Sequence, residues 1–498
     1  MNYILVLAVI VFLFSPSLKY GFFQDDFLHL VNTQISSWLQ FFHFFKDNSA
    51  IYYRPLGIQL AYLIQQRVFN ANPLLFHLFS FSVHLVNTFL VGLLIFKITK
   101  NRWIANLSAF LFGTSAIHFI SLFWLAETNL LLGALMLFLN LHAFFWFIKK
   151  RSNKALLAGL ALFSISLLFH ELLIITPMLI FMFNYLLDLR LFNKPLGKIY
   201  SLAYISIVFL YLLFRLVVLP IPISGTYTIH LGSDNLSSLA WYSLWSFNIP
   251  EEFKYQMVLS KLQFQPKFLI DFCSEVIIWL SGLLILICFL SYGIIRANRL
   301  KKRLFFLGIS WFVIGSSIFL FLPLHQYPMY AIAALPGLTL ILATFIPKRP
   351  FFTLTLILAW LIPSFTTLRF AEKTHWTVQE AKRAKEIFIK AKKEFPYLPQ
   401  NSTINLENDY QVENTLANQY GMYFLYRDTS LTTHFGNFQD ILPEVCQPLL
   451  SEKKESITKA NREIKEEKAL RLVLAEITQL ADSKIHQCAI NNNLFPLQ

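Results

Sequence analysis

A small set of ionisable residues stands out against an otherwise apolar chain. Asp25 and Asp26 are adjacent in GFFQDDFLHL, with His29 one helical turn on, and Arg54 follows in YYRPL. His77 and His84 are spaced to share one helical face, which Asn87 continues. Glu127 lies in WLAETN, His170 and Glu171 in LFHELL, and His325, Tyr327 and Tyr330 in LPLHQYPMY. Carboxylates, arginine, histidines and tyrosines are the residue types of proton transfer and of charge stabilisation. The Asp pair also sets an electrostatic problem. Between Phe22–Phe23 and Phe27–Leu28 it is expected to be partly buried, which disfavours double ionisation unless a cation or donor stands nearby.

The elements that must carry these residues are membrane helices. Of 498 residues, 56% are hydrophobic, only 14% are charged, and 52 are Phe. A soluble chain of this length needs more charge to cover its surface, so the composition is that of an all-α polytopic membrane protein. A net charge of +14 raises the question of nucleic acid. The basic residues instead fall in short clusters between apolar runs, so no nucleic-acid partner is expected and membrane lipids are.

A span needs about 20 apolar residues. Candidate spans are 3–19, 74–96, 103–122, 128–148, 155–170, 172–188, 199–219, 269–295, 304–322, 329–346 and 351–368, which makes about 11 transmembrane helices. The first apolar run has no basic residues before it and no small-residue cleavage site after it, and reads as an uncleaved helix. Lys97/Lys100/Arg102, Lys149/Lys150/Arg151/Lys154, Arg190/Lys194/Lys198, Arg296–Arg303 and Lys348/Arg349 all follow even-numbered spans. The alternate short loops carry no Lys or Arg. The positive-inside rule then predicts a cytoplasmic N-terminus, and the membrane is expected to be a cell (plasma) membrane. The rule sets residues 20–73 as a first long outward loop and 220–268 as another.

With that span count, a transmembrane domain 1–369 is followed by a soluble extracytoplasmic domain 370–498. The latter turns to Lys, Glu, Asn and Gln and is expected to be small, α/β or mostly helical. STINL suits a strand there, and 451–483 a charged helix. SSWLQFFHFF and RPLGIQLAYLIQQRVF suit amphipathic stretches lying on the membrane surface. Cys446 and Cys488 pair if this part is exported, although spacing alone does not establish proximity.

Each candidate has a plainer alternative. A lone Asp after a first span is often solvated loop, and His77 and His84 suit helix-to-helix hydrogen bonds. Glu127 and Glu171 suit interfacial loops, and Tyr327 and Tyr330 an aromatic belt. What raises them above this is convergence. Ionisable groups at membrane depth are costly, and these gather on the outward side from several loops. No phosphate-binding glycine loop, dinucleotide fingerprint, zincin helix or zinc spacing occurs. An activated donor reached from outside, where nucleotide sugars are scarce, suggests one linked to a lipid.

The chain resembles the GT-C glycosyltransferases, closest to the protein O-mannosyltransferase and TMTC-like branch. The resemblance rests on FFQDDF at 22–27, YYRPL at 52–56, NPLLFHLFSFSVHLVNTFL at 72–90, LFHELLIITP at 168–177 and LPLHQYPMYAIAALPGL at 322–338. It covers most of residues 1–370 in order and spacing. The branch often has Lys-Glu where this chain has His170-Glu171, and Arg-Tyr where it has Gln326-Tyr327. The tetratricopeptide array common in the eukaryotic members is missing.

The resemblance implies inverting transfer of a sugar, mannose among the candidates, from a polyprenyl-phosphate donor to an extracytoplasmic hydroxyl on a protein or glycan. Asp25, or less favoured Asp26, would be the general base and the other a stabiliser of positive charge at the sugar. Arg54, His325 and Tyr327 would offset the leaving phosphate. His77, His84, Glu127 and Glu171 complete the donor and acceptor site. No metal is expected, a divalent Mg or Mn ion being the weaker alternative. A transporter or flippase of a lipid-linked sugar or envelope precursor is the competing class. So is an envelope assembly protein acting through 370–498.

Overall fold

A computed structural model describes residues 3–46, 52–219, 225–258, 263–406, 410–463 and 467–496. Parts of the two long outward loops (47–51, 220–224 and 259–262) and of the expected charged helix (464–466) lie outside the described residues. The chain is about 78% helical with almost no strand. Among the described residues six helices are long and apolar enough to cross a membrane: Pro73–Thr99, Leu125–Lys150, Pro195–Val217, Cys273–Ile295, Arg299–Leu320 and the one that begins at Pro350. The pair Arg102–Gly113 and Ala116–Phe123, bent by 43°, makes a seventh if counted as one span. At the other expected spans the apolar helices are shorter: Ile4–Lys19, Asn153–Ser166, Glu171–Leu186 and Leu335–Phe345.

Two compact units divide the chain. The first comprises residues 1–20 and 33–378. Its helix Pro73–Thr99 packs on Arg102–Gly113 and on Thr128–Lys150, and Arg299–Leu320 packs on Leu335–Phe345. Some polar side chains inside these bundles hydrogen-bond across helices. Asn87 donates to the Leu131 carbonyl at 2.9 Å, and Ser80 and Thr128 share a hydrogen bond of 2.7 Å.

The second unit joins residues 21–32 to 379–498. The expected first loop, 20–73, is therefore shared between the units. A three-stranded parallel sheet forms here, with Thr403–Leu406 between Thr432–Phe435 and Leu494–Pro496. Helices Gln447–Glu463 and Glu467–Asn491 pack on each other. Cys446 and Cys488 form a disulfide, set in a small core with Leu442, Ile485, Ala489 and Leu494.

Candidate functional site

In the first unit the site is built around Arg54. The sequence RPLG delivers it. Pro55 opens a π-helical turn, Pro55–Leu60, for which its fixed φ and missing N–H suit it. The Leu56 N–H donates to the Leu168 carbonyl at 3.1 Å. Gly57 permits this approach, since a Cβ there would lie 2.1 Å from the Phe169 carbonyl oxygen. The turn is thus pinned to residues 168–169, and Arg54 meets the residues that follow. Its Nε donates to Glu171 at 2.8 Å, its Nη2 also donates to Glu171, and its Nη1 donates to Asn129 Oδ1 at 2.7 Å.

Glu171 is held from its own side. It starts the short turn Glu171–Ile175, whose first N–H groups need acceptors. His170 Nδ1 accepts from the Leu172 N–H at 3.1 Å, so that nitrogen carries no proton and the ring is neutral. Gly133 lies against this ring, where a Cβ would come within 2.6 Å of His170 Cβ. Asn129 sits in the first turn of Thr128–Lys150, and its Nδ2 donates to the Ala126 carbonyl. Burial disfavours the Glu171 carboxylate, but the charge and hydrogen bonds of Arg54 outweigh it and hold the acid well below the usual carboxylate range. Burial likewise opposes the Arg54 charge, and Glu171, with Glu127 behind it, overcomes this and holds the guanidinium charged.

A cavity of about 420 Å³ opens on this pair. Tyr52, Tyr53, Arg54, Glu171, Tyr211, Arg215, Tyr227, His325 and Tyr330 line it with aliphatic and phenyl side chains. Arg54 lies over the Tyr52 ring, 4.2 Å from its centroid, and Tyr52 packs edge-on against Tyr227. His325 Nε2 is 2.8 Å from the Tyr330 hydroxyl, and Tyr330 stacks on Phe319 at 3.9 Å. Burial, then the charge of Arg54, lowers the His325 pKa to about 4, so the imidazole is neutral at physiological pH. A neutral His325 can hydrogen-bond an anion but adds no charge.

The other sequence-derived residues of this unit are placed as follows. Glu127 is partly buried, and its charge acts on Arg54 and Tyr330. Tyr327 packs near His325, Tyr330 and Trp376, with centroids at 5.2, 5.9 and 6.4 Å. The neighbouring Gln326 donates to Ser238 Oγ. His77 and His84 are fully buried and do not line the cavity. His77 Nδ1 lies 3.0 Å from the Leu122 carbonyl, and His84 Nε2 3.0 Å from that of Gly113. Both hold helices together. Asn129 and Arg215 were not anticipated. Arg215 had a signal, a lone arginine in the apolar run YLLFRLVVLP, which is costly unless it has a task.

Asp25 and Asp26 belong to the second unit. They start helix Asp25–Asn32, and the Gln24 N–H ties the preceding turn to the Thr415 carbonyl at 2.7 Å. Phe27 is fully buried against Phe388 and Phe424, at 5.2 and 5.6 Å. Asp26 is fully buried and accepts the Phe23 N–H at 3.1 Å, as a first-turn acid reaching back does. Asp25 is partly exposed, and its carboxylate accepts no hydrogen bond among the described residues. Burial alone raises its pKa above the ordinary Asp value. Among the described residues no three His, Cys, Asp or Glu side chains group closely enough to hold a metal ion.

No protein-family model matches this chain, and no curated protein sequence matches it.

Proposed function

We propose that the chain is a membrane glycosyltransferase that moves a sugar from a polyprenyl-phosphate donor to an extracytoplasmic hydroxyl. The observation that carries this reading is the cavity. Aromatic and aliphatic walls enclose two guanidinium groups and a carboxylate, the complement of a polar, anionic headgroup on a hydrocarbon chain. In the reaction the acceptor O–H loses its proton to a carboxylate as its oxygen bonds to the sugar C1. The C1–O bond to phosphate breaks, and the lipid phosphate leaves with the electron pair. Asp25 suits the base. Its carboxylate accepts no backbone N–H among the described residues, and burial raises its pKa, which makes it a better proton acceptor. Asp26 is committed to the Phe23 N–H and orients the turn. Glu171 and Glu127 contribute negative charge beside the sugar.

This reading keeps eleven spans, counting the four shorter apolar helices, with the N-terminus cytoplasmic and residues 370–498 outside. The Cys446–Cys488 disulfide favours an oxidising compartment for the second unit. The test uses purified protein and a panel of radiolabelled polyprenyl-phosphate sugars. At least one should support transfer to an acceptor or to water. Asp25→Asn should lose at least 100-fold of that rate, on the scale of a general base, while inserting normally. Lipid-linked sugar crossing sealed vesicles with no covalent transfer would replace this reading with a flippase.

A further inference from the structure

The two arginines of the cavity are not equivalent. Arg54 is held in place, since three of its five N–H donors are engaged by Glu171 and Asn129 and its charge is balanced by the Glu171 carboxylate. Arg215, near the end of helix Pro195–Val217, is only 7% exposed and lines the same cavity. Its guanidinium makes no hydrogen bond or ion pair among the described residues. Its charge lies over the face of Tyr53, with Cζ 5.7 Å from the ring centroid, and also acts on Tyr211. The adjacent tyrosines of YYR thus divide the cations, Tyr52 beneath Arg54 and Tyr53 beneath Arg215. A buried guanidinium without an acceptor is costly, and the ring face offers only a weak substitute.

We propose that Arg215, not Arg54, is the phosphate-binding residue of the cavity. It takes the phosphate oxygens of a lipid phosphate with its N–H fork, and Arg54–Glu171 serves as a fixed wall. Drawing Arg54 toward a phosphate would strand the Glu171 carboxylate, whereas Arg215 loses nothing but the tyrosine face. A guanidinium matches phosphate in a bidentate geometry that a point charge does not. The aliphatic groups on the same wall, Leu212, Ile229, Leu231 and Leu322, suit the hydrocarbon that carries the headgroup. This rests on the donor class given above and assigns the residue within it.

The experiment measures equilibrium binding of a radiolabelled polyprenyl monophosphate to the full chain in detergent. The parallel probes are the uncharged polyprenol and inorganic phosphate. Arg215→Gln should weaken binding of the lipid phosphate at least tenfold and flatten its salt dependence, with polyprenol binding unchanged. Arg215→Lys should recover part of the loss. Inorganic phosphate should compete only weakly, and competition equal to that of the lipid would overturn the lipid source. Wild-type affinity and salt dependence in Arg215→Gln would overturn the assignment, as would a wild-type protein that binds no polyprenyl monophosphate. The two readings fail separately. A wild-type protein that binds the lipid phosphate through Arg215 but transfers no sugar ends the enzyme reading alone. Sugar transfer by a wild-type protein whose Arg215→Gln variant binds normally ends the Arg215 assignment alone.

Discussion

Glu171 in the first unit and Asp25 in the second are both acids set among apolar and aromatic side chains. Burial opposes ionisation at each, yet their pKa values move in opposite directions. Glu171 receives two N–H donors and a full charge from Arg54, and its pKa falls. Asp25 receives no such partner, and its pKa rises. The difference separates an anchor from a reactive group. A carboxylate locked below its usual range is a poor base, because it gains little by taking a proton. One whose pKa is raised by burial accepts a proton more readily, at a cost to the fold that only function repays.

The sharpest way to break this contrast is Glu171→Gln. It leaves the Arg54 charge buried without its counter-charge, and removing one partner of a buried pair costs about 3–5 kcal/mol. Thermal unfolding in detergent should show that loss. Arg54→Gln with Glu171→Gln should recover part of it, because no lone charge then remains. A single Glu171→Gln variant as stable as the wild type would mean that the pair is not an anchor.

A second test moves to the unit that holds Asp25. Replacing Cys446 and Cys488 by Ser removes a link across 42 residues, and such a loss costs about 2–4 kcal/mol. Residues 21–32 belong to that unit, so their amide protection against hydrogen exchange should fall with it. Protection near Arg54 and Glu171 should not. Equal loss in both places would erase the distinction between the two regions.

Much of the first region was legible in the sequence. Apolar runs of helical length marked where helices form, and a helix lies at each expected span. Length was harder to read. A run such as 329–346 gives a helix of only Leu335–Phe345, because Pro328 and Pro336 turn its first part into a short 3-10 segment. RPLG and HE were legible as unusual residues at costly positions, but their pairing was not, because 117 positions separate Arg54 from Glu171. Arg215 carries the same kind of signal, a lone arginine in an apolar run. The second region was less legible. Phe27 looks like any Phe of an apolar chain, and nothing local says that it packs on Phe388 and Phe424, which lie 361 and 397 residues further along the sequence. His77 and His84 show the opposite case. Two histidines on one face suggest a site, and in the fold they bind backbone carbonyls of neighbouring helices.

The smallest expected effect discriminates best, because its sign is unusual. Asp25→Asn should raise stability at neutral pH by about 0.5–1 kcal/mol while sugar transfer is lost, the usual trade at a residue kept for function. The pH dependence follows from the direction of each shift. Folding raises the Asp25 pKa, so its favourable contribution is full below the unfolded value near 3.8 and is lost as pH rises through the raised value. Glu171 does the reverse. Its contribution is full above the unfolded value near 4.5 and is lost only as pH falls through the lowered one. Unfolding measured between pH 4 and 8 should therefore show the Asp25→Asn protein gaining on the wild type as pH rises. Glu171→Gln should stay behind the wild type across that window and approach it only in stronger acid. An Asp25→Asn protein less stable than the wild type at pH 8 would make Asp25 a second anchor and remove it as the base.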